Sequence, residues 1–294
     1  MNDTAPMDLD AAVQRAHRAG QELGLPAPDA LMAPSTGALA IAESLENAKA
    51  LTLSDVDGVP ARWARTGSRL FAGTLGGATL WIVEDADEFG PMEGDLPWER
   101  AFPVWWAAAA GAVLFLHTSA GTSLKKDGTG AAAIAPGTFV RLSDHINLSG
   151  SSPLSGLGES RLGPLFPDQT RVHNPKLGEL ADACAAERGV PFGTAVAACT
   201  LGPALSTPAE LRWYAAAGAD VAVQRLADPM IAAAHAGLST LAICAVTDSA
   251  DESPAVPTLI ERAAAAAPVL DGLMVDIAAR LMPLILAHRD APGL

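Results

Sequence analysis

The chain has 294 residues, half of them hydrophobic, and a formal net charge of −14 at neutral pH. This length and composition allow a large buried core, so extensive disorder is not expected. The acidic balance argues against a nucleic-acid surface, because a phosphate backbone demands clustered Lys and Arg. The cysteines lie in apolar contexts without metal-ligand spacing and indicate small core residues in a reducing compartment; they are Cys184, Cys199 and Cys244.

The sequence carries no recognisable export signal, since a basic start, an apolar stretch and a cleavage site do not occur together. The longest apolar segment, residues 263–286, is interrupted by Asp271, Asp276 and Arg280 at near-helical spacing. This pattern predicts a packed amphipathic helix instead of a membrane span. We therefore expect a cytoplasmic protein with no membrane partner.

The first 27 residues predict a polar tail and a helix. For the rest of the chain, length alone makes one α/β domain as plausible as two. Residues 30–34 predict a first strand, and a turn of small residues at 35–38 follows it. Backbone N–H groups at such a turn can approach an anion, although a fuller glycine pattern is missing here.

A hairpin is predicted where two strand-like segments, residues 69–73 and 78–83, flank the pair Gly76 and Gly77. Residues 84–94 then form a concentrated acidic segment. It precedes a predicted helix over residues 97–110, with Pro97 in the first turn.

Residues 112–117 predict a central buried strand that ends at the small residues 118–121. His117 in this strand either faces a pocket or is a satisfied core group, and the second is the more common case.

A second buried strand, residues 138–142, is followed by a dense polar run. In an α/β sheet, ligand-binding loops lie at the carboxyl ends of strands, so this run is a candidate site. The alternative is that His145 and Asn147 only hold a loop in place by hydrogen-bonding buried backbone. A helix over residues 175–188 and a strand over residues 195–201 come next.

The segment 202–210 predicts a helix that starts at Pro208, with Thr207 or Ser206 as N-cap and Glu210 completing a capping box. Capping alone could account for most of this motif.

Two later strands present polar side chains at their carboxyl ends. Residues 220–223 lead to Gln224 and Arg225, where Arg225 is either a surface residue or a cation that binds an acidic partner or substrate. The buried strand 241–246 leads to Asp248, which could donate a proton when neutral and accept one when ionised. Asp248 is the candidate acid/base residue.

Residues 142–154 resemble the matching loop of the trimeric purine nucleoside phosphorylases. Further landmarks of that family follow in similar order, at residues 165–168, 201–210, 218–220, 235–238 and 246–248. The resemblance covers roughly residues 28 to 288. It implies a single domain over residues 28–290 with a three-layer αβα fold and a twisted mixed sheet. It also implies a homotrimer with shared pockets, a small-molecule substrate and no cofactor or metal.

The same resemblance assigns the phosphate region. Ser35 matches the family's phosphate-binding loop approximately, but the preceding Pro34 lacks a main-chain N–H that could donate to phosphate. The small residues around Ala120 are retained. Glu88 and Met92 stand where the family has a phosphate-binding Arg and a sugar-binding Tyr. A carboxylate facing a phosphate dianion would repel it by about 1 to 4 kcal/mol, so phosphate is not expected as the co-substrate.

The base and sugar contacts are also altered. Leu205 and Ser206 stand where the family has a Phe and a Glu that binds the purine. Asp248 stands where the family has an Asn that hydrogen-bonds purine N7. Ser206 cannot supply a carboxylate, so purine binding of the usual kind is in doubt. The remaining implied substrate-binding residues are His145 in the polar run, Phe166 over a neighbour's ribose, Gln224 and Arg225 in place of Met and Ser, and Val256 near the family's sugar-contacting His.

Three hypotheses remain open. The first is a divergent enzyme that still cleaves or forms an N-glycosidic bond. The second is the same scaffold recruited to acid/base chemistry such as cyclisation or isomerisation, with Glu88 and Asp248 as catalytic residues beside Gln224 and Arg225. The third is a catalytically silent binding protein.

Overall fold

The computed structural model describes residues 8–34, 39–85, 96–124, 134–252 and 254–291. The helices of this part of the chain are α1 Leu9–Glu22, α2 Leu39–Glu43, α3 Ala61–Arg65, α4 Pro97–Ala110, α5 Pro175–Arg188, α6 Pro208–Ala216, α7 Ala227–His235, α8 Val256–Ala278 and α9 Met282–Asp290. The strands are β1 Ala30–Pro34, β2 Glu46–Thr52, β3 Arg69–Leu75, β4 Ala78–Glu84, β5 Leu114–Ser123, β6 Phe139–Asn147, β7 Phe192–Thr200, β8 Val221–Gln224 and β9 Ser239–Ser249.

The strands form one mixed sheet in the order β2-β3-β4-β1-β5-β8-β7-β6-β9. Strand β5 runs parallel to β1 and β9 and antiparallel to β8. Because β9 pairs with β5 as well as with β6, the second half of the sheet closes on itself. The predicted mixed α/β architecture is confirmed.

Helices cover both faces of the sheet. On one face, α1, α4 and α7 pack around a cluster that contains Phe102, Trp105 and Trp106. On the other face, α5 and the second half of α8 bury a separate aliphatic cluster that includes Leu270 and Ile277. These two apolar layers hold the sheet rigidly, so the carboxyl ends of its central strands form a fixed platform.

Local signals predicted several elements correctly. The hairpin of β3 and β4 turns at Gly76 and Gly77, and α5 has the predicted bounds. Pro97 opens α4, where the Glu99 carboxylate accepts a hydrogen bond from the Leu96 main-chain N–H at 3.1 Å.

Three expectations were wrong in detail. The polar run after Leu142 is not a loop, because β6 continues to Asn147 and pairs with β7 as far as Cys199, with an irregularity before Asp144. Strand β9 likewise extends past residue 246, so Asp248 lies within its last residues. The apolar segment 263–286 spans two helices, α8 and α9, instead of one. In the described part of the chain, no helix is both long and apolar enough to span a membrane.

The contact between the β3–β4 turn and the end of α8 gives a stability prediction. Gly76 and Gly67 both have left-handed backbone, with φ of 59° and 70°, so alanine at either position bears similar backbone strain. A Cβ at Gly76 would lie 2.1 Å from the Ala279 carbonyl oxygen, whereas no described atom lies within 4 Å of a Cβ at Gly67. We expect Gly76→Ala to lower the free energy of unfolding by about 3 kcal/mol and Gly67→Ala by about 1 kcal/mol. Urea denaturation of both variants measures the difference, and equal losses would contradict this packing.

Candidate functional site

A cleft of about 570 Å³ opens at the carboxyl ends of β5, β8 and β9. The loop before α6 and the first turns of α8 complete its wall. This is the edge of an α/β sheet at which ligands are commonly bound. Of the candidate site residues, the cleft brings together Ala120, Leu205, Ser206, Gln224, Arg225 and Asp248.

Among the described residues, the other candidates do not line that wall. Ser35, Glu88 and Met92 lie outside the described residues, so their positions stay predictions. Phe166 lies in the segment between β6 and α5 with 87% of its surface exposed, and Val256 begins α8 with 55% exposed. In the first turns of α8, the residues that line the cleft are Leu259, Ile260 and Ala263.

Asp248 is a buried carboxyl group in the cleft wall, with 7% of its surface exposed. The Thr122 hydroxyl donates a hydrogen bond to Oδ2 at 2.9 Å, and the Thr247 hydroxyl lies 2.9 Å from Oδ1. Burial raises the pKa of Asp248, while these two hydroxyl groups act in the opposite direction. The arrangement suits proton transfer, because a carboxyl group with a raised pKa retains its proton closer to neutral pH.

Arg225 lies at the end of β8 in a left-handed conformation, with a φ of 61°. Its main-chain N–H donates to the Thr200 carbonyl oxygen at 2.8 Å, which fixes the turn. A non-glycine residue in this backbone region is uncommon and often marks a functional position. The turn places Arg225 in the wall of the cleft.

The neighbouring Gln224 stabilises the loop before α6. Its side-chain amide donates to the Ala204 carbonyl oxygen at 3.0 Å. At Gly202, an added Cβ would lie 2.3 Å from the Gln224 side-chain oxygen, so a glycine lets this amide pack against the loop. Gln224 therefore orders the part of the cleft that carries Leu205 and Ser206.

The predicted capping box is present at the start of α6. The Thr207 hydroxyl accepts from the Glu210 main-chain N–H, and the Glu210 carboxylate accepts from the Thr207 main-chain N–H at 2.6 Å. These hydrogen bonds lower the pKa of Glu210. Its carboxylate is thus held at the helix terminus, while Ser206 supplies only a hydroxyl to the cleft, 3.5 Å from the Tyr214 hydroxyl.

His145 lies on β6, where its Nδ1 is 2.9 Å from Nε2 of His173. Burial lowers the pKa of both imidazoles, and that of His173 falls to about 4. This contact agrees with the alternative in which the polar run fixes local structure. His117 is buried beside Phe115, as a core group.

The buried imidazole of His117 makes stability depend on pH. Burial lowers its pKa to about 4, opposed by the Ala33 main chain. As the pH falls from about 6.5 to 4, the unfolded chain binds a proton here and the folded chain does not, so the free energy of unfolding decreases by roughly 3 kcal/mol. We expect His117→Phe to lose this pH dependence and His17→Asn on α1 to retain it. Urea denaturation at pH 7 and pH 4 compares the two variants, and an unchanged slope in His117→Phe would contradict the assignment.

Sequence reasoning missed three residues around Asp248, namely Thr122, Glu252 and Arg262. Thr122 contacts the carboxyl group directly, and Arg262 on α8 donates to the Thr247 carbonyl oxygen at 3.0 Å and to Glu252 at 2.6 Å. No local signal marks these residues, because their contacts depend on pairing between distant elements. In the described part of the chain, no group of three His, Cys, Asp or Glu side chains could hold a metal ion.

The closed mixed sheet and the cleft at its carboxyl edge define an α/β protein with a ligand cleft at the strand ends. Comparison with solved structures supports this class. Over 93% of this chain and 99% of the other, the fold matches a Schistosoma purine nucleoside phosphorylase in complex with hypoxanthine, with a TM-score of 0.82 and 21% identity. Isoform 2 of the Schistosoma mansoni enzyme, in complex with cytosine and ribose-1-phosphate, matches 94% of this chain and 99% of its own with a TM-score of 0.82 and 22% identity.

The chain belongs to the phosphorylase superfamily, whose sequence model matches residues 37–279. It is 30% identical to purine nucleoside phosphorylase 1 of Geobacillus stearothermophilus over 211 residues, which are 71% of this chain and 74% of that protein. It is 38% identical to the purine nucleoside phosphorylase of a Cellulomonas species over 178 residues, 59% of this chain and 57% of that protein. The family resemblance drawn from the motifs is confirmed.

Proposed function

We propose that this protein is an enzyme that cleaves the N-glycosidic bond of a nucleoside or a related N-glycoside, with Asp248 as the acid/base residue. The observation that carries the proposal is the buried carboxyl group of Asp248 in the wall of the cleft, with its pKa raised by burial. Relatives that are named purine nucleoside phosphorylases supply the substrate class.

The reaction needs a proton on the leaving base. As the bond between the sugar carbon and the ring nitrogen breaks, negative charge develops on the base. Protonated Asp248 donates to a nitrogen of that base, and the resulting carboxylate recovers a proton from solvent after release. General acid catalysis of this kind contributes about 10² to 10⁴ in rate.

We propose further that inorganic phosphate is not the normal nucleophile and that water takes its place. Its oxygen bonds to the sugar carbon, and the proton it loses to solvent balances the one that Asp248 gives to the base. Residues 84–94, which the resemblance aligns with the family's phosphate contacts, contain five acidic residues and no Lys, Arg or His. In the described cleft wall, Asp248 and Glu252 accompany one cation, Arg225, and Glu252 is paired with Arg262 on α8. The Glu252 carboxylate in the wall disfavours a phosphate dianion, and Asp248 adds to this effect when it is ionised.

We also propose a cytoplasmic homotrimer in which Phe166 covers the cleft of a neighbouring subunit. The exposed aromatic ring and the half-exposed Leu165 beside it support this assignment, since large apolar groups are seldom left this exposed without a partner. Sedimentation of the wild type and of Phe166→Ala tests it.

A second candidate function is acid/base chemistry on a substrate that is not a nucleoside. It is favoured because Ser206 supplies no carboxylate at the position where the resembled family has a Glu that binds the purine. The nearby Glu210 carboxylate accepts a hydrogen bond from the Thr207 main chain instead. In that case Asp248 would transfer protons within a substrate instead of to a leaving base.

Binding of nucleosides separates these functions. Thermal-shift measurements with inosine, guanosine, adenosine and hypoxanthine, each with and without phosphate, are expected to show stabilisation by at least one nucleoside that phosphate does not increase. A ligand at 100 times its Kd stabilises the folded state by about 2.7 kcal/mol, which is well within detection. No response to any of the four compounds would favour the second candidate or a silent binding protein.

A further inference from the structure

We infer that Thr122 is a positioning residue for the proposed reaction: together with Thr247, it holds the Asp248 carboxyl group in one orientation and determines when that group carries its proton. The inference rests on the proposed function for its catalytic meaning. Its structural part concerns three side chains at the junction of β5 and β9 and can be tested without any substrate.

The junction of the two strands brings these side chains together. Strands β5 and β9 pair in parallel from Leu114 opposite Ser239 to Gly121 opposite Val246, and the register then shifts so that Thr122 lies opposite Asp248. This irregularity leaves Thr247 without a cross-strand partner and puts Thr122 and Asp248 side by side. Register shifts of this type often redirect a side chain next to a functional site.

Gly121 makes this arrangement possible. A Cβ at this residue would lie 2.7 Å from the Ala222 carbonyl oxygen and 2.8 Å from the Cys244 sulfur. Only glycine lets β8 approach β5 this closely. Thr122 therefore follows a residue that packs closely against the β8 main chain on one side and the Cys244 side chain of β9 on the other.

Both carboxyl oxygens of Asp248 have a hydroxyl group within hydrogen-bond distance. Thr122 Oγ1 is 2.9 Å from Oδ2, and Thr247 Oγ1 is 2.9 Å from Oδ1 and 3.3 Å from the Gly121 carbonyl oxygen. A hydroxyl that donates to a carboxylate stabilises its ionised form. Thr247 has a second acceptor for its proton, so Thr122 supplies the hydrogen bond that is dedicated to Asp248 among the described residues.

Other charged groups act on Asp248 from the elements around it. Glu252, after β9, raises the pKa of Asp248, and Arg262 on α8 lowers it. On β9, Asp248 adds to the effect of burial in raising the pKa of the Cys244 thiol. Arg225 lines the same cleft from the end of β8. These groups are unchanged when Thr122 is replaced, so the effect of its hydroxyl can be isolated.

The test replaces Thr122 with Val, which keeps the shape of the side chain and removes the hydroxyl, and with Ser, which keeps the hydroxyl. Carboxyl groups of aspartate are labelled with ¹³C, and Asp248 is assigned by comparison with Asp248→Asn. In the ligand-free protein we expect Thr122→Val to raise the pKa of Asp248 by about one unit and Thr122→Ser to leave it near the wild-type value. An unchanged pKa in Thr122→Val would overturn the inference.

The pH dependence of turnover then tests the catalytic role. Because the protonated form of Asp248 is the active one, the rate should fall as the pH rises through its pKa. The descending limb should move up by about one pH unit in Thr122→Val and return in Thr122→Ser. If no nucleoside is cleaved at any pH, the proposed function fails while the ¹³C titration still decides the inference. An unmoved limb in an active Thr122→Val enzyme would overturn the positioning role.

Discussion

Asp248→Ala is expected to lower kcat for nucleoside cleavage by about 10²- to 10³-fold while the protein remains folded. The carboxyl group lies in the cleft wall with its pKa raised by burial, which is the condition for donating a proton to a leaving base near neutral pH. Asp248→Asn should lose a smaller factor, because an amide keeps the shape of the side chain and a hydrogen-bond donor but cannot transfer the proton.

Folding should survive both substitutions. Thr247 can donate to the Gly121 carbonyl oxygen at 3.3 Å when the carboxyl group is removed. Steady-state kinetics of the two variants, with circular dichroism as a check on folding, makes the comparison. The control is Asp182→Asn, a half-exposed carboxylate paired with Arg141 away from the cleft. Wild-type kcat in Asp248→Ala would remove this residue from the mechanism.

Breaking the buried ion pair between α4 and α7 is expected to cost about 3 to 5 kcal/mol of stability. Arg100 Nε lies 2.6 Å from Asp228 Oδ2, and the two side chains are 11% and 5% exposed. The same guanidinium donates to the Ser151 hydroxyl at 2.7 Å, so it also ties down the segment after β6. Arg100→Met retains much of the volume and leaves the Asp228 carboxylate buried without this cation.

A surface pair provides the matched control. Arg280 binds Glu187 through two hydrogen bonds at 3.0 and 2.6 Å, but the side chains are 44% and 58% exposed. Arg280→Met should therefore cost less than about 1 kcal/mol. The double variant Arg100→Met with Asp228→Leu should recover part of the loss, since it removes the uncompensated charge. Urea denaturation measures all three, and equal costs for Arg100→Met and Arg280→Met would contradict a stabilising role for the buried pair.

The turn of the β3–β4 hairpin and the bounds of α5 followed from local chemistry, because glycine pairs and N-terminal capping residues act within a few positions of the chain. The continuation of β6 to Asn147 did not. Most of its side chains are polar, and the strand is held by main-chain pairing with β7, about fifty residues away in sequence. Hydrophobic patterning cannot detect a strand of that kind.

In the candidate site too, local patterns could be predicted from the sequence and contacts between distant strands could not. Asp248 could be recognised because a polar residue at the end of a buried strand is a local pattern. Thr122 could not, since its role arises from a register shift between β5 and β9, and neither strand carries a sign of it alone. The places of Ser35, Glu88 and Met92 stay predictions because these residues lie outside the described part of the chain.

Product analysis of nucleoside incubations tests the central claim most directly. Inosine, guanosine and adenosine would be incubated with the wild type and with Asp248→Ala, with and without phosphate, and the base and sugar products separated by chromatography. The proposed function predicts free base and free sugar from at least one nucleoside in the absence of phosphate, and their loss in Asp248→Ala. Intact nucleoside in every incubation would contradict N-glycosidic cleavage, and base release that requires phosphate and yields a sugar phosphate would contradict the proposed use of water.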